Sequence, residues 1–203
     1  MRTLITGGGG RIGGAAAEKL VQDGWKVILA DKDLGAAQSM AKRIGPNATA
    51  IALDITQELS VKEIVKGLID RHGPLQALVN AAGGRTGTDI GWFTETSPDT
   101  WKPLIDLHLR GVLNIIQAVL PGMIAQKNGS IVSMVAVESF RGMPKSAAFS
   151  TAKARGLWQF MTATGRENGL YVDWFIDERA DPEKSTAAAA RYLASLVKAF
   201  DGD

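Results

Sequence analysis

No cysteine occurs in the 203 residues. That excludes a disulfide framework and thiolate metal ligands, and it suits the reducing cytoplasm. Long apolar runs are also missing: none approaches the about 20 residues that a membrane-spanning helix needs. The opening MRTLITGGGG enters a strand at once, which predicts no signal peptide. Charge of one sign is scarce, with 23 Lys and Arg against 21 Asp and Glu, and the basic residues are scattered. No nucleic-acid stripe and no polybasic membrane patch are therefore expected. There are no internal repeats and no low-complexity linker, and AAAA near Ala187 reads as helix propensity. What is present is 45% hydrophobic and 22% charged, an ordinary globular composition. The length predicts one domain over residues 1–203, large enough to bury a sizeable core.

Short apolar runs alternate with helical patterns along the whole chain. RTLIT, KVILAD, ATAIALD and ALVNAAG read as strands, and RIGGAAAEKLVQDG, LGAAQSMAKRIG and ELSVKEIVKGLIDRHG as the helices between them, each closing on glycine. Ser97 as N-cap and Pro98 at the first helical position open a long helix to about Lys127. GSIVSMVA is a fifth strand, the segment from Lys145 to Asn168 a helix, LYVDWFI a sixth strand, and the segment from Pro182 to Phe200 a last helix. Nearly continuous apolar strands joined by helices predict a parallel sheet covered on both faces. Right-handed crossovers give a doubly wound, three-layer α/β domain with strand order 3-2-1-4-5-6.

The first strand runs into TGGGGRIGG and then directly into a helix. Glycines at Gly7, Gly9, Gly10 and Gly13 let the backbone approach a pyrophosphate, which the N–H groups and dipole of the helix would stabilise. The same glycines could serve tight strand–helix packing alone. Asp31 ends the second strand about 20 residues on, where a carboxylate accepts hydrogen bonds from an adenosine ribose and repels a 2′-phosphate. This favours NAD over NADP, while the neighbouring cations Lys32 and Arg11 argue the other way.

Together TGGGGRIG, Asp31, LDI at Leu53–Ile55, NAAG at Asn80–Gly83 and FSTAK at Phe149–Lys153 resemble the short-chain dehydrogenase/reductase family, in the right order over nearly the whole chain. The resemblance implies a Rossmann fold and a dinucleotide cofactor. Thr6 to Gly13, with Arg11 and Ile12, would form the dinucleotide loop, and Asp54 and Ile55 would flank the adenine. Asn80, Ala81 and Gly83 would build the cofactor floor. Arg11 stands where most members have glycine, and either sits near the phosphates or points to solvent. Ala81 stands where a second asparagine is usual.

In that family a tyrosine hydroxyl passes the proton, a lysine lowers its pKa and holds the nicotinamide ribose, and a serine orients the substrate oxygen. An asparagine on the long helix supports a water linking the lysine to solvent. Here Phe149 takes the tyrosine position, Ala136 the serine position thirteen residues earlier, and His108 the asparagine position. Lys153 is retained, four residues after Phe149 and so on the same helical face. Ser133 and Ser139 flank Ala136 off the required spacing and read as ordinary strand-end residues. His108 is either a substitute proton relay beside Lys153 or a helix histidine bonded to a backbone carbonyl. His72 before Gly73 reads as a partner of its helix dipole.

After the sixth strand, the family's proline–glycine turn and substrate loop are not found, and no seventh strand follows the last helix. The adenine half of the site thus reads as intact and the nicotinamide half as dismantled. Three functions follow: an NAD(H)-binding protein with weak or no carbonyl or alcohol oxidoreductase activity, acting as a non-catalytic subunit; an active NAD-dependent oxidoreductase on a hydroxy or keto substrate using His108 and Lys153; or an interaction protein that no longer binds nucleotide. Relatives pair through the long helix after Ser97 and the helix carrying Phe149. The resemblance therefore implies a homodimer or tetramer, or a heteromer with an active relative, and no metal.

Overall fold

Runs of Leu, Ile, Val and Ala buried on both faces make the three central strands of the sheet, while the two outer strands are half-buried or exposed. β1 (Arg2–Thr6), β2 (Lys26–Asp31), β3 (Ala48–Ala52), β4 (Ala77–Asn80) and β5 (Ser130–Ser133) are all parallel, in the order β3-β2-β1-β4-β5. The computed structural model describes residues 1–84, 91–136 and 145–153. The chain divides into two compact units, Met1–Val135 and Ala136–Asp203. The sixth strand and last helix expected from the sequence lie outside the described residues.

Strand alternation sends successive side chains of the central strands to opposite layers. On one face Leu4, Ile28 and Leu78 pack with Val61, Val65 and Leu68 of α3 (Glu58–His72) and with Ile115, Val119 and Met123 of α5 (Val112–Ala125). On the other, Ile5, Val27 and Leu29 pack with Ala17 of α1 (Arg11–Gln22) and with Ala37 and Met40 of α2 (Leu34–Ile44). Burying each large aliphatic side chain stabilises by about 1.5–3 kcal/mol relative to exposure. This two-sided burial is what the near-continuous apolar strands predict, and it makes the first unit a three-layer Rossmann-type sheet.

The helix from Ser97 departs from expectation in three ways. Ser97 occupies the N-cap and Pro98 the first position, yet the serine hydroxyl makes no cap bond. Instead the Ser97 carbonyl accepts from the Thr100 amide at 3.0 Å and from its hydroxyl at 2.7 Å. The helix is also not uniform: α4 (Pro98–Ile105) passes through a π-helical segment, Asp106–Gly111, before α5. Finally, by length and composition alone, the 28 residues Pro98–Ala125 are apolar enough to cross a membrane, contrary to the reading that no stretch approaches this. The physical reason is local: this helix packs against α3 and the sheet, so its inner face is core.

In the second unit the described residues form one short helix, α6 (Ala147–Ala152), with Ser146 at its N-cap and Lys153 at its C-cap.

Candidate nucleotide-binding site

The C-terminal ends of β1, β2, β3 and β4 bring the predicted cofactor residues of the first unit to one edge of the sheet. At the end of β1 the chain turns sharply: the Gly10 amide donates to the Gly7 carbonyl at 3.0 Å, and the Gly8 amide to Ala30 O at 3.1 Å. Gly7 adopts a left-handed φ of 65°, and a Cβ there would lie 2.7 Å from the Ala82 backbone. A Cβ on Gly9 would lie 2.7 Å from Ala36 Cβ, and one on Gly13 would collide with the Gly7 carbonyl oxygen. These glycines are fixed by close packing, and the amides of Gly8, Gly9 and Gly10 are used within the protein, on Ala30 O, Asp31 Oδ2 and Gly7 O. Gly10 caps α1 without a side chain, and no acidic residue occupies the first turn. The first-turn N–H groups and the positive end of the helix dipole are thus left for an anion. The cradle fits a dinucleotide pyrophosphate.

Asp31 does more than end β2. One carboxylate oxygen accepts from Gly9 N at 3.0 Å, and the other from Asp33 N at 3.1 Å. The side chain therefore ties the glycine loop to the start of α2, and each oxygen keeps a lone pair for a further donor. Asp33 caps α2 by accepting from Ala36 N at 3.0 Å. Arg11 is exposed at the first position of α1, with Ile12 also exposed beside it.

After β3, Asp54 braces its own turn, accepting from Thr56 N at 2.9 Å and Thr56 Oγ1 at 2.8 Å. Ile55 is buried, and its carbonyl accepts from Asn114 Nδ2 of α5 at 2.9 Å. After β4, Ala81 N donates to Thr6 O at 3.1 Å and Ala82 N to Thr6 Oγ1 at 3.3 Å, joining the NAAG segment to the end of β1. Asn80 Nδ2 donates to Ser133 Oγ at 3.0 Å across the β4–β5 pair, while Asn80 Oδ1 is buried without a hydrogen-bond partner among the described residues. Gly83 and Gly84 follow, and Gly84 O meets His108 Nε2 at 2.9 Å. His108 is buried on the π-helical segment. With the ε nitrogen on a carbonyl, it must carry the proton there.

Asn114 and Ser133 are the residues that sequence reasoning did not place in the site. Asn114 had a faint signal, a polar side chain inside the apolar run VLNIIQAVL. Ser133 had none beyond its place at a strand end.

In the second unit, Phe149 is buried and Lys153 N donates to Phe149 O at 2.9 Å, one helical turn apart. Burial lowers the pKa of the Lys153 ammonium below its ordinary value. Ala136 is the first residue of the same unit.

Not every basic cluster belongs to this site. A cleft of about 230 Å³ lined by Arg2, Lys26, Asn47 and His72 opens at the opposite, N-terminal edge of the strands. His72 there lies in the last turn of α3.

Comparison with known proteins agrees with this geometry. Residues 2–172 match the family model described as short chain dehydrogenase. An uncharacterized oxidoreductase of Staphylococcus saprophyticus is 31% identical over 211 residues, covering 93% of this chain and 88% of the relative. A sorbitol dehydrogenase of Cereibacter sphaeroides is 37% identical over 152 residues, covering 74% of this chain and 58% of that protein. Among solved structures, NAD+-bound xylitol dehydrogenase is similar with a TM-score of 0.72 at 25% identity, covering 82% of this chain and 63% of that one. The 3-ketoacyl-(acyl-carrier-protein) reductase of Brucella melitensis, complexed with NADH, has a TM-score of 0.68 at 26% identity, covering 75% and 64%. The parallel sheet, its strand order and the match over most of the chain place this protein in the short-chain dehydrogenase family.

Proposed function

We propose that this chain binds NAD(H) and has weak or no carbonyl or alcohol oxidoreductase activity, acting as a non-catalytic subunit. One contrast carries the reading. The glycine cradle and Asp31 support a dinucleotide site, while Phe149 and Ala136 offer no hydroxyl where the family's chemistry needs two. A bound nicotinamide supplies hydride chemistry; the chain must supply the proton and orient the substrate. Phenylalanine holds no transferable proton, and losing a positioned general acid costs a factor of roughly 10²–10⁴. His108 does not replace it in this reading, because its Nε2 supports the Gly84 carbonyl.

Calorimetry with NAD, NADH, NADP and NADPH tests the binding half. Turnover on polyols and β-ketoacyl thioesters, the substrate classes named for the similar dehydrogenases and reductase, tests the other half. Absence of any nucleotide binding would sink the proposal, as would turnover at rates ordinary for an oxidoreductase. Asp31 supports NAD over NADP. Asp31→Ala should weaken NADH roughly tenfold, the worth of a charge-assisted hydrogen bond, and narrow the gap between NADH and NADPH. Calorimetric Kd ratios read this out, and an unchanged ratio would remove Asp31 as the discriminator.

Lys153 acts here as a clamp on the nucleotide ribose. Its depressed pKa means that the folded state holds the charged form less readily than the unfolded chain does. Stability therefore rises with pH only above the folded pKa, up to the ordinary lysine value of 10.5. Lys153→Met should accordingly raise the melting temperature of the nucleotide-free protein at pH 7, with the advantage shrinking toward pH 10. The same variant should bind NADH about tenfold to a hundredfold more weakly. Thermal shift with and without NADH measures both effects, and a variant that binds NADH normally would exclude the clamp.

The exposed apolar side chains Leu109, Leu113, Leu120 and Ile124 fall along one face of the long helix, opposite Ile115 and Val119. They support pairing of two copies, or with an active relative, through that helix. The cysteine-free composition supports a cytosolic location.

A further inference from the structure

The long helix reaches the nucleotide edge at points the family motifs do not name. Asn114 Nδ2 donates to Ile55 O at 2.9 Å, across 59 residues of sequence. One turn earlier, Gly111 lets the helix backbone approach the same residue. A Cβ on Gly111 would lie 2.7 Å from Ile55 Cγ1 and 2.9 Å from Cδ1. Gly111 is the last residue of the π-helical segment Asp106–Gly111, and Asn114 lies in the turn after it. Such widened turns recur at functional sites because they re-aim the side chains that follow.

Ile55 is buried in the core on the α3–α5 face of the sheet, and the chain before it is tied to β2 by Leu53 N donating to Asp31 O at 2.9 Å. It follows β3 in a turn whose internal bonds belong to Asp54: Thr56 N and Thr56 Oγ1 donate to its side chain, and Gln57 N donates to its carbonyl at 3.1 Å. Those bonds shape the turn but do not fix its distance from the sheet edge. To this core packing Asn114 adds a hydrogen bond to the Ile55 carbonyl, and Gly111 leaves the space its side chain occupies against the helix. Among the described residues, the asparagine in the apolar run of α5 makes this one side-chain hydrogen bond.

We propose that Asn114 and Gly111 are positioning residues for the adenine edge. They hold Ile55 and the adjoining Asp54 where the base docks, so that adenine affinity depends on the long helix. The inference rests on the dinucleotide reading above. Asn114 touches no reacting atom and acts only through Ile55.

Asn114→Leu keeps the branched side-chain shape and improves helix propensity, but it leaves the Ile55 carbonyl without its donor. Gly111→Ala keeps the hydrogen bond and displaces Ile55 by overpacking. Calorimetry with ADP-ribose, NADH and nicotinamide hypoxanthine dinucleotide, beside thermal melts, reads both variants. Each variant should bind ADP-ribose and NADH about tenfold more weakly. The wild-type preference for adenine over hypoxanthine should fall toward one. ADP-ribose affinity unchanged in both variants would overturn the proposal. So would a fall in melting temperature with the adenine preference intact, which is the signature of a structural role alone. Wild-type protein that binds none of the three ligands would instead overturn the dinucleotide reading, and this inference with it.

Discussion

Phe149→Tyr combined with Ala136→Ser is expected to raise NADH-dependent carbonyl reduction by a factor of roughly 10²–10⁴, the usual contribution of a positioned general acid. Within the second unit, the spacing between positions 149 and 153 is that of one helical turn: Phe149 lies on α6 with the Lys153 amide on its carbonyl at 2.9 Å. A lysine ammonium near a phenol favours the phenolate and eases proton transfer. The serine adds a donor for the substrate oxygen, and single donors of that kind are worth roughly 10²–10³. The two gains will not multiply, because such groups act as a unit. Phe149 is 8% exposed, so a tyrosine there needs a partner for its hydroxyl. The single Phe149→Tyr variant should therefore melt lower than the double variant. Loss of reduced-nicotinamide absorbance with NADH and ketose or ketoacyl substrates, and its rise with NAD+ and polyols, measure the gain. A double variant that binds NADH yet reacts no faster than wild type would show that more than two hydroxyls is missing.

Much of the fold could be read before the structure because its signals are local. RTLIT and KVILAD match β1 and β2 residue for residue, since an apolar run flanked by turn residues leaves little freedom for the ends of a buried strand. α2 and α3 end where glycine was expected to end them, at Gly45 and Gly73, both with left-handed φ. The glycine loop was legible for a similar reason. Close backbone approach selects glycine, and Gly7, Gly9 and Gly13 each stand where a Cβ would meet a neighbour.

What stayed hidden depends on partners distant in sequence. Ser133 reads as an unremarkable strand end until the β4–β5 register sets it beside Asn80. Asn114 reads as one polar residue in an apolar helix until the chain brings Ile55 to it. The π-helical segment leaves no periodic trace, because one widened turn shifts the phase of the pattern without changing its composition. His108 had two readings from its position alone; the geometry puts its ε nitrogen on Gly84. Ser97 shows the opposite failure. Serine is a favoured N-cap, yet its hydroxyl makes no cap bond here, and its carbonyl takes both donors of Thr100 instead.

Gly13→Ala should raise the Kd for NADH by at least about a hundredfold, close to 2.7 kcal/mol of binding free energy. The added methyl would run into the Gly7 carbonyl oxygen, which already accepts from Gly10 N at 3.0 Å. Gly7 cannot retreat, because its own Cα faces the Ala82 backbone in a left-handed conformation. The strain must therefore be taken up by the loop from Gly7 to Gly10, where the pyrophosphate would rest. Overpacking of this kind costs about 1–3 kcal/mol of stability. Stability loss alone does not establish a binding role, so Gly24→Ala is the matched control. Gly24 has a φ of 83° with nothing among the described residues within 4 Å of its missing Cβ, at the far end of α1. An alanine there bears the left-handed penalty of roughly 1–2 kcal/mol without touching the loop. The two variants should melt at similarly reduced temperatures, with NADH binding lost in Gly13→Ala and retained in Gly24→Ala. Equal loss of binding in both would mean that affinity merely tracks stability. Normal binding by Gly13→Ala would mean that the glycine cradle serves strand–helix packing and holds no phosphate.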